Sequence, residues 1–212
     1  IPNFMGGTKS VDHESHLGAE SEALKYLSPE RRYLSAYWGN QPGTSPTYVG
    51  AIIMFLFVLG ILYVKSPYKY WILTTTILSI MLAWGHNFMG LTEFFFNYVP
   101  AYNKFRAVTM AMIIAEFGIA LLAILSLNKL LTAEGNTENW NIIERKLKLA
   151  FYITGGITLI FAIFPSLLVN FLSSNDYLND NFNFTSSLAA DRSSILKSDA
   201  WRSFIFILLS FV

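Results

Sequence analysis

Residues 107–128 read AVTMAMIIAEFGIALLAILSLN, and Glu116 is the single charged residue in the window. A helix of about 20 predominantly apolar residues crosses the hydrocarbon core of a bilayer. A soluble helix of that length keeps a polar face for water, and this stretch has none. The window therefore predicts a transmembrane helix, and its neighbours have to be read for the same solvent.

Working outward, Tyr48–Val64 is another continuous apolar stretch. Ser45 is its expected N-cap, with Pro46 at the first helical position, where a missing N–H costs nothing. Lys65 ends it. Ser66-Pro67 repeats the start signal, and a charge-free window, Tyr70–Thr92, follows. Its helix is expected to stop near Gly85, with Trp71 and Trp84 suited to the two interfaces. Leu149–Asn175 is the fourth window and contains Gly155-Gly156 and Pro165, and a fifth apolar run begins near Trp201. Backbone donors and acceptors must be paired in hydrocarbon, so spans are helices or closed barrels. AIIMFLFVLGILYV, residues 51–64, lacks the period-two alternation of a barrel strand.

The expected fold is all-α: a polytopic transmembrane helix bundle of four full spans plus a truncated fifth, with extracytoplasmic loop segments. Residues 1–47 form an extracytoplasmic loop segment with a short helix, 48–172 the four-helix transmembrane region, and 173–212 an outer loop, an amphipathic helix and the start of the fifth span. The chain opens IPNF without a signal-peptide pattern and closes inside an apolar run, so it is expected to be cut from a longer polypeptide.

Composition agrees with that solvent. Of 212 residues, 53% are apolar and only 14% charged, against about 25% charged in an ordinary soluble domain. A formal net charge of +1 offers no general attraction to nucleic acid. With no cysteine there is neither a disulfide nor a thiolate metal site.

Cation placement sets the expected orientation. Lys65 and Lys69 lie in the tight first connection, and Lys129, Arg145, Lys146 and Lys148 in a connection over 129–148. Per residue of loop this side is the more basic, which puts it in the cytoplasm. Segments 1–47, 86–106 and 173–200 are then outside. There, Ser28-Pro29-Glu30-Arg31 predicts a short helix over 29–37. The stretch 173–187 reads as loop. Leu188, Ile195 and Leu196 predict an amphipathic helix over 188–200, capped by Ser186 or Ser187, that runs into the fifth span. Phe94-Phe95-Phe96 beside Tyr98, Pro100 and Tyr102 predicts a segment lying in the interface rather than crossing it.

Three features bear on function. Glu116 shares a helical face with Thr109, Met112, Ala120 and Ala123, while Ile114, Leu121 and Leu125 take the far face. Small residues mark helix–helix contact in membranes and bulky aliphatics suit lipid, so Glu116 is expected to point into the bundle. A carboxylate at mid-bilayer costs about 2.5–3.5 kcal/mol on insertion scales, so it needs a proton or a donor such as Thr74–Thr76 or Tyr152. It serves either a substrate or proton path or a hydrogen bond that locks two helices. Lys104 and Arg106 stand where a helix enters from the outer interface. They are snorkelling anchors or a pair that grips a lipid phosphate. Asp12-His13-Glu14-Ser15-His16 falls one residue short of the HExxH spacing and reads as a solvated loop. No Ser/His/Asp arrangement, phosphate-cradling loop or nucleotide fingerprint stands out, so neither cofactor nor metal is expected.

Several blocks carry a family likeness. They are Ile1-Pro2-Asn3-Phe4 with Gly6-Gly7; Tyr37-Trp38-Gly39-Asn40-Gln41-Pro42; Tyr48-Val49-Gly50-Ala51; Ala83-Trp84-Gly85 with Asn87-Phe88-Met89-Gly90; and Tyr102-Asn103-Lys104-Phe105-Arg106-Ala107. Taken in order, they resemble the YfhO family of bacterial polytopic membrane proteins, in the versions from the Bacteroidetes group. That family is similar to membrane glycosyltransferases of the GT-C type, which move a sugar from a polyprenyl-phosphate donor on the outer side of the membrane. The resemblance implies a multi-pass protein of the bacterial cytoplasmic (inner) membrane, with membrane lipid and a polyprenyl-phosphate-linked sugar as partners. The catalytic carboxylate of such enzymes usually sits in the first outer loop, which this chain is expected to lack, so no catalytic residue is carried over. Under the resemblance, Lys104 and Arg106 meet the donor phosphate and Glu116 braces or polarises the groove. The competing classes are a transporter or flippase, with Glu116 as the ion or proton site, and a non-catalytic membrane scaffold.

Overall fold

The computed structural model describes residues 10–11, 34–35, 48–100, 102–104, 108–132, 137–166, 169–171 and 182–211. Its architecture is helical: α1 (Ala51–Tyr63), α2 (Pro67–Ala83), α3 (Met89–Tyr98), α4 (Met112–Leu131), α5 (Thr137–Ile163) and α6 (Phe182–Phe211), with short 3-10 turns at Gly85–Phe88, Tyr102–Lys104 and Val108–Ala111. A two-residue antiparallel pairing joins β1 (Ser10–Val11) to β2 (Leu34–Ser35). The short helix expected over 29–37 therefore does not run through Leu34 and Ser35, where extended backbone finds a cross-strand partner. The rest of that expectation lies outside the described residues.

Several helix boundaries have a local cause. Gly50 holds a φ of 104°, a conformation L side chains rarely adopt. Tyr48–Gly50 are consequently not helical, and α1 starts at Ala51, later than the Ser45-Pro46 signal implied. Ser45 and Pro46 themselves lie outside the described residues. Pro67 opens α2 as expected, with Ser66 extended before it, although the Ser66 side chain makes no capping bond. Gly85, with φ 48°, follows the end of α2, close to where it was expected. The α5 helix stops at Ile163, ahead of Pro165, whose ring disfavours helical backbone in the residue before it.

Length separates the helices. α1 has 13 residues and α2 has 17, about 20 and 25 Å at 1.5 Å per residue, against about 30 Å of hydrocarbon. Among the described residues two stretches are long and apolar enough to cross a membrane: Met112–Leu131 and Trp140–Ile163. The four full spans are thus not all reached, because Gly50 and the Val64–Ser66 break trim the first window and Gly85 cuts the second short. Arg145, Lys146 and Lys148 ride on α5 rather than in a connection. Likewise Ser186 and Ser187 sit inside α6, which begins at Phe182 within the expected loop. From there α6 runs as one helix through the amphipathic part into the fifth apolar stretch, as the pattern implied.

The chain divides into two compact units, Ala51–Thr154 with Phe211, and Ile1–Gly50 with Gly155–Ser210 and Val212. In the first, α4 is the central element and packs on both α1 and α2. α1 buries Ala51, Phe55 and Leu59 at i, i+4 and i+8, with Gly60 beside them. α4 buries Ala115, Gly118, Ile119, Leu122, Ala123 and Ser126, one stripe at helical spacing. Two glycines fix how closely the helices meet. A Cβ on Gly60 would stand 2.9 Å from both Cγ and the carbonyl oxygen of Leu122, and one on Gly118 would collide with Thr76 Oγ1. Such close approach is how helices gain packing contact where no hydrophobic effect drives them together. α2 brings only Thr76 and Ser79 to full burial. The Ser79 hydroxyl donates to the Ala111 carbonyl and accepts from the Ala115 amide at 3.2 Å. It thereby bridges the Ala111 carbonyl and the Ala115 amide, the first i, i+4 rung of α4.

In the second unit, Phe161 and Ala162 pack with Phe171, Leu196 and Ala200, flanked by Val169 and Ala189. The face of α6 that supplies Leu196 and Ala200 also carries Arg192, Asp199 and Ser203, all buried.

Candidate functional site

The residues singled out in the sequence are placed unequally. Lys104 ends the 3-10 turn Tyr102–Lys104 and is exposed. Arg106 lies outside the described residues, as does the cluster at Asp12–His16, so the expected cation pair is located at one member. Before Lys104 comes α3, whose 10 residues measure about 15 Å and are too short to cross a bilayer. Phe94, Phe96 and Tyr98 are exposed along it, and Phe94 meets Tyr98 with ring centroids 5.2 Å apart. Phe95 turns the other way, onto Tyr102 at 5.6 Å. Partial burial against it pushes the Tyr102 phenol up from its usual range by disfavouring the phenolate. Lys104 thus follows directly on an aromatic shelf. An ammonium there has the reach for a phosphate oxygen at an interface.

Glu116 is half-buried, on the flank of α4 rather than at the centre of its packed face. The centre runs through Ala115, Gly118, Leu122 and Ser126, and a step of 100° per residue carries Glu116 to its edge. The reason is size. Gly118 and Gly60 permit the closest approach and fix the rotation of α4, and the alanines at 120 and 123 do not. None of the expected donors meets the carboxylate. The Thr76 hydroxyl bonds the Ile72 carbonyl at 2.7 Å and that of Thr75 the Trp71 carbonyl at 2.9 Å. Thr74 is exposed, and Tyr152 is 69% exposed on α5. Among the described residues Glu116 makes neither a hydrogen bond nor an ion pair.

Two charged residues were misjudged or missed from the sequence. Arg192, which fell within the expected amphipathic helix and was given no role, is 2% exposed and Asp199 6%. Nη1 of Arg192 donates to the Phe171 carbonyl at 2.7 Å, which ties α6 to the extended residues after α5. Arg202 approaches Asp199 Oδ1 at 3.9 Å from an exposed position, too long and too solvated to hold it strongly. The available signal was the i, i+4, i+7 spacing of Arg192, Leu196 and Asp199, which sets both charges on the apolar face of one helix.

Among the described residues no group of three or more His, Cys, Asp or Glu side chains could hold a metal ion. Compared with protein families, curated proteins and solved structures, the chain matches none of them.

Proposed function

We propose that this chain is the membrane-embedded part of a multi-pass bacterial inner-membrane glycosyltransferase that takes a polyprenyl-phosphate-linked sugar from the outer leaflet. The observation that carries the membrane part is the outward side of α4. Ile113, Phe117 and Ile124 are 66%, 68% and 62% exposed along a span-length helix. In water such a row would be an uncovered apolar patch, whereas against acyl chains it is the expected surface. Helices α1 and α2 pack on this same α4 and so share its solvent. At about 20 Å, α1 is a short span, which a bilayer accommodates by thinning locally. In this reading the spans are α1, α2, α4, α5 and the apolar last part of α6, and the connection after α2 faces outward.

The glycosyltransferase part rests on the resemblance of the ordered sequence blocks, and it gains from the position of Lys104 beside the aromatics of α3. Lys104 and Arg106 meet the donor phosphate there, Arg106 by a two-pronged grip, and Glu116 borders the groove from α4. The test is transfer of labelled sugar from a polyprenyl-phosphate donor by the protein in liposomes, together with donor binding. Lys104→Ala with Arg106→Ala is expected to abolish donor binding while the helical circular dichroism stays unchanged. Unchanged binding in that variant overturns the phosphate role. Proton-coupled flux that vanishes in Glu116→Gln, without any sugar transfer, overturns the enzyme reading in favour of a transporter.

A further inference from the structure

We infer that the groove along the first turns of α5 binds the headgroup of an anionic phospholipid, at the opposite leaflet from the proposed sugar donor. The inference rests on the membrane reading above and extends it to a second site. The groove has a volume of about 840 Å³; Asn141, Ile142, Glu144, Arg145, Lys146 and Lys148 line it, and Leu149 and Tyr152 complete the lining. Three cations stand here against one acid.

The charges are not equally committed. Lys148 Nζ lies 2.5 Å from Glu144 Oε1, one turn away, so this pair neutralises itself. Arg145, exposed on the same stretch, makes no hydrogen bond or ion pair among the described residues. Its planar fork suits two oxygens of one phosphate. Lys146 adds a second uncommitted charge, so a phosphodiester entering the groove meets a surplus of two cations.

Position along the helix selects a lipid over a free anion. Trp140–Ile163 is span-length, and the groove occupies its first turns, where a crossing helix passes through the headgroup layer. Residues 141–148 cover about 12 Å of axis and carry the polar groups. Leu149 and Tyr152 continue the groove towards the apolar part, where an acyl chain would lie. Inorganic phosphate would leave that continuation unused. Cations beside a span attract anionic headgroups, and this is the side that the cation bias assigned to the cytoplasm.

The experiment starts with carbonate extraction of membranes that carry the full chain, to establish that it is embedded. Detergent-solubilised protein is then titrated with phosphatidylglycerol, phosphatidylcholine and inorganic phosphate, and lipid retention is read by native mass spectrometry. Phosphatidylglycerol is expected to be retained in preference to phosphatidylcholine, with inorganic phosphate a poor competitor. Removing Arg145 or Lys146 as glutamine is expected to weaken retention about fivefold each. Arg145→Lys, which keeps the charge and loses the fork, is expected to fall between wild type and Arg145→Gln, and Lys197→Gln, on α6, to keep all of it. These side chains are exposed or nearly so, and an unchanged melting temperature separates loss of binding from loss of fold. Equal retention of phosphatidylglycerol by wild type and Arg145→Gln/Lys146→Gln, in protein that stays in the membrane, overturns the site alone. Full competition by inorganic phosphate overturns the lipid as occupant. Extraction of the wild type by carbonate overturns the site and the membrane reading together.

Discussion

The contact of α1 and α2 with α4 and the contact of α6 with residues 155–171 manage polarity by opposite means. In the first, side chains are removed so that backbones come together, at Gly60 against Leu122 and at Gly118 against Thr76. On α2 the buried polarity is hydroxyl, with Thr76 spent on the Ile72 carbonyl and Ser79 on that of Ala111. In the second, a guanidinium and a carboxylate are taken inside with Phe161, Phe171 and Leu196. The Thr76 hydroxyl bonds its own helix and says little about packing partners, while Ser79 joins α2 to the start of α4 through neutral bonds. A buried arginine that reaches another segment specifies which segment must come to it.

The difference can be broken or sharpened by substitution, with unfolding followed in detergent. Arg192→Ala should have the largest effect. It removes a charged donor, leaves the Phe171 carbonyl without that bond and opens a cavity, at a cost of about 3–5 kcal/mol. Wild-type stability in this variant would mean that the charge is carried without purpose, and the contrast would dissolve. Gly60→Ala comes next, at about 2 kcal/mol. The new methyl meets a backbone oxygen that cannot rotate away, and this outweighs the roughly 1 kcal/mol that alanine gains in helix propensity. An unchanged midpoint would show that α1 and α4 can part without loss. Ser79→Ala is the smallest of the three, at about 0.5–1 kcal/mol, because the Ala111 and Ala115 groups can fall back on the helix's own rung.

Much of this was legible in the sequence, for identifiable reasons. The Ser66-Pro67 start and the stop near Gly85 follow from backbone rules that act within a few residues, and the charge-poor run of 107–128 marked the long helix found at Met112–Leu131. The run of an amphipathic segment into the last apolar stretch could also be read. Span length could not, because a charge-free window says nothing about a glycine at positive φ inside it, and Gly50 shortens α1. The 129–148 connection was misread for the converse reason. Charges were taken to mark loops, yet Arg145, Lys146 and Lys148 occupy an exposed helix face where they need not end the helix. At the candidate site, the side of α4 that Glu116 faces depended on which small residue sets the closest approach. Periodicity gives the spacing of a face but not its rotation, and Gly118 and Gly60 decide that together. Arg192 and Asp199 escaped because charge was counted by segment rather than by face.

The continuity of α6 has its own consequence. Its 30 residues contain neither glycine nor proline and extend about 45 Å. A beam of that length without a joint cannot absorb a displacement by bending locally. A push or twist delivered near Phe182 is passed along the axis to Phe211, and whatever grips Arg192 grips the lever near its first third.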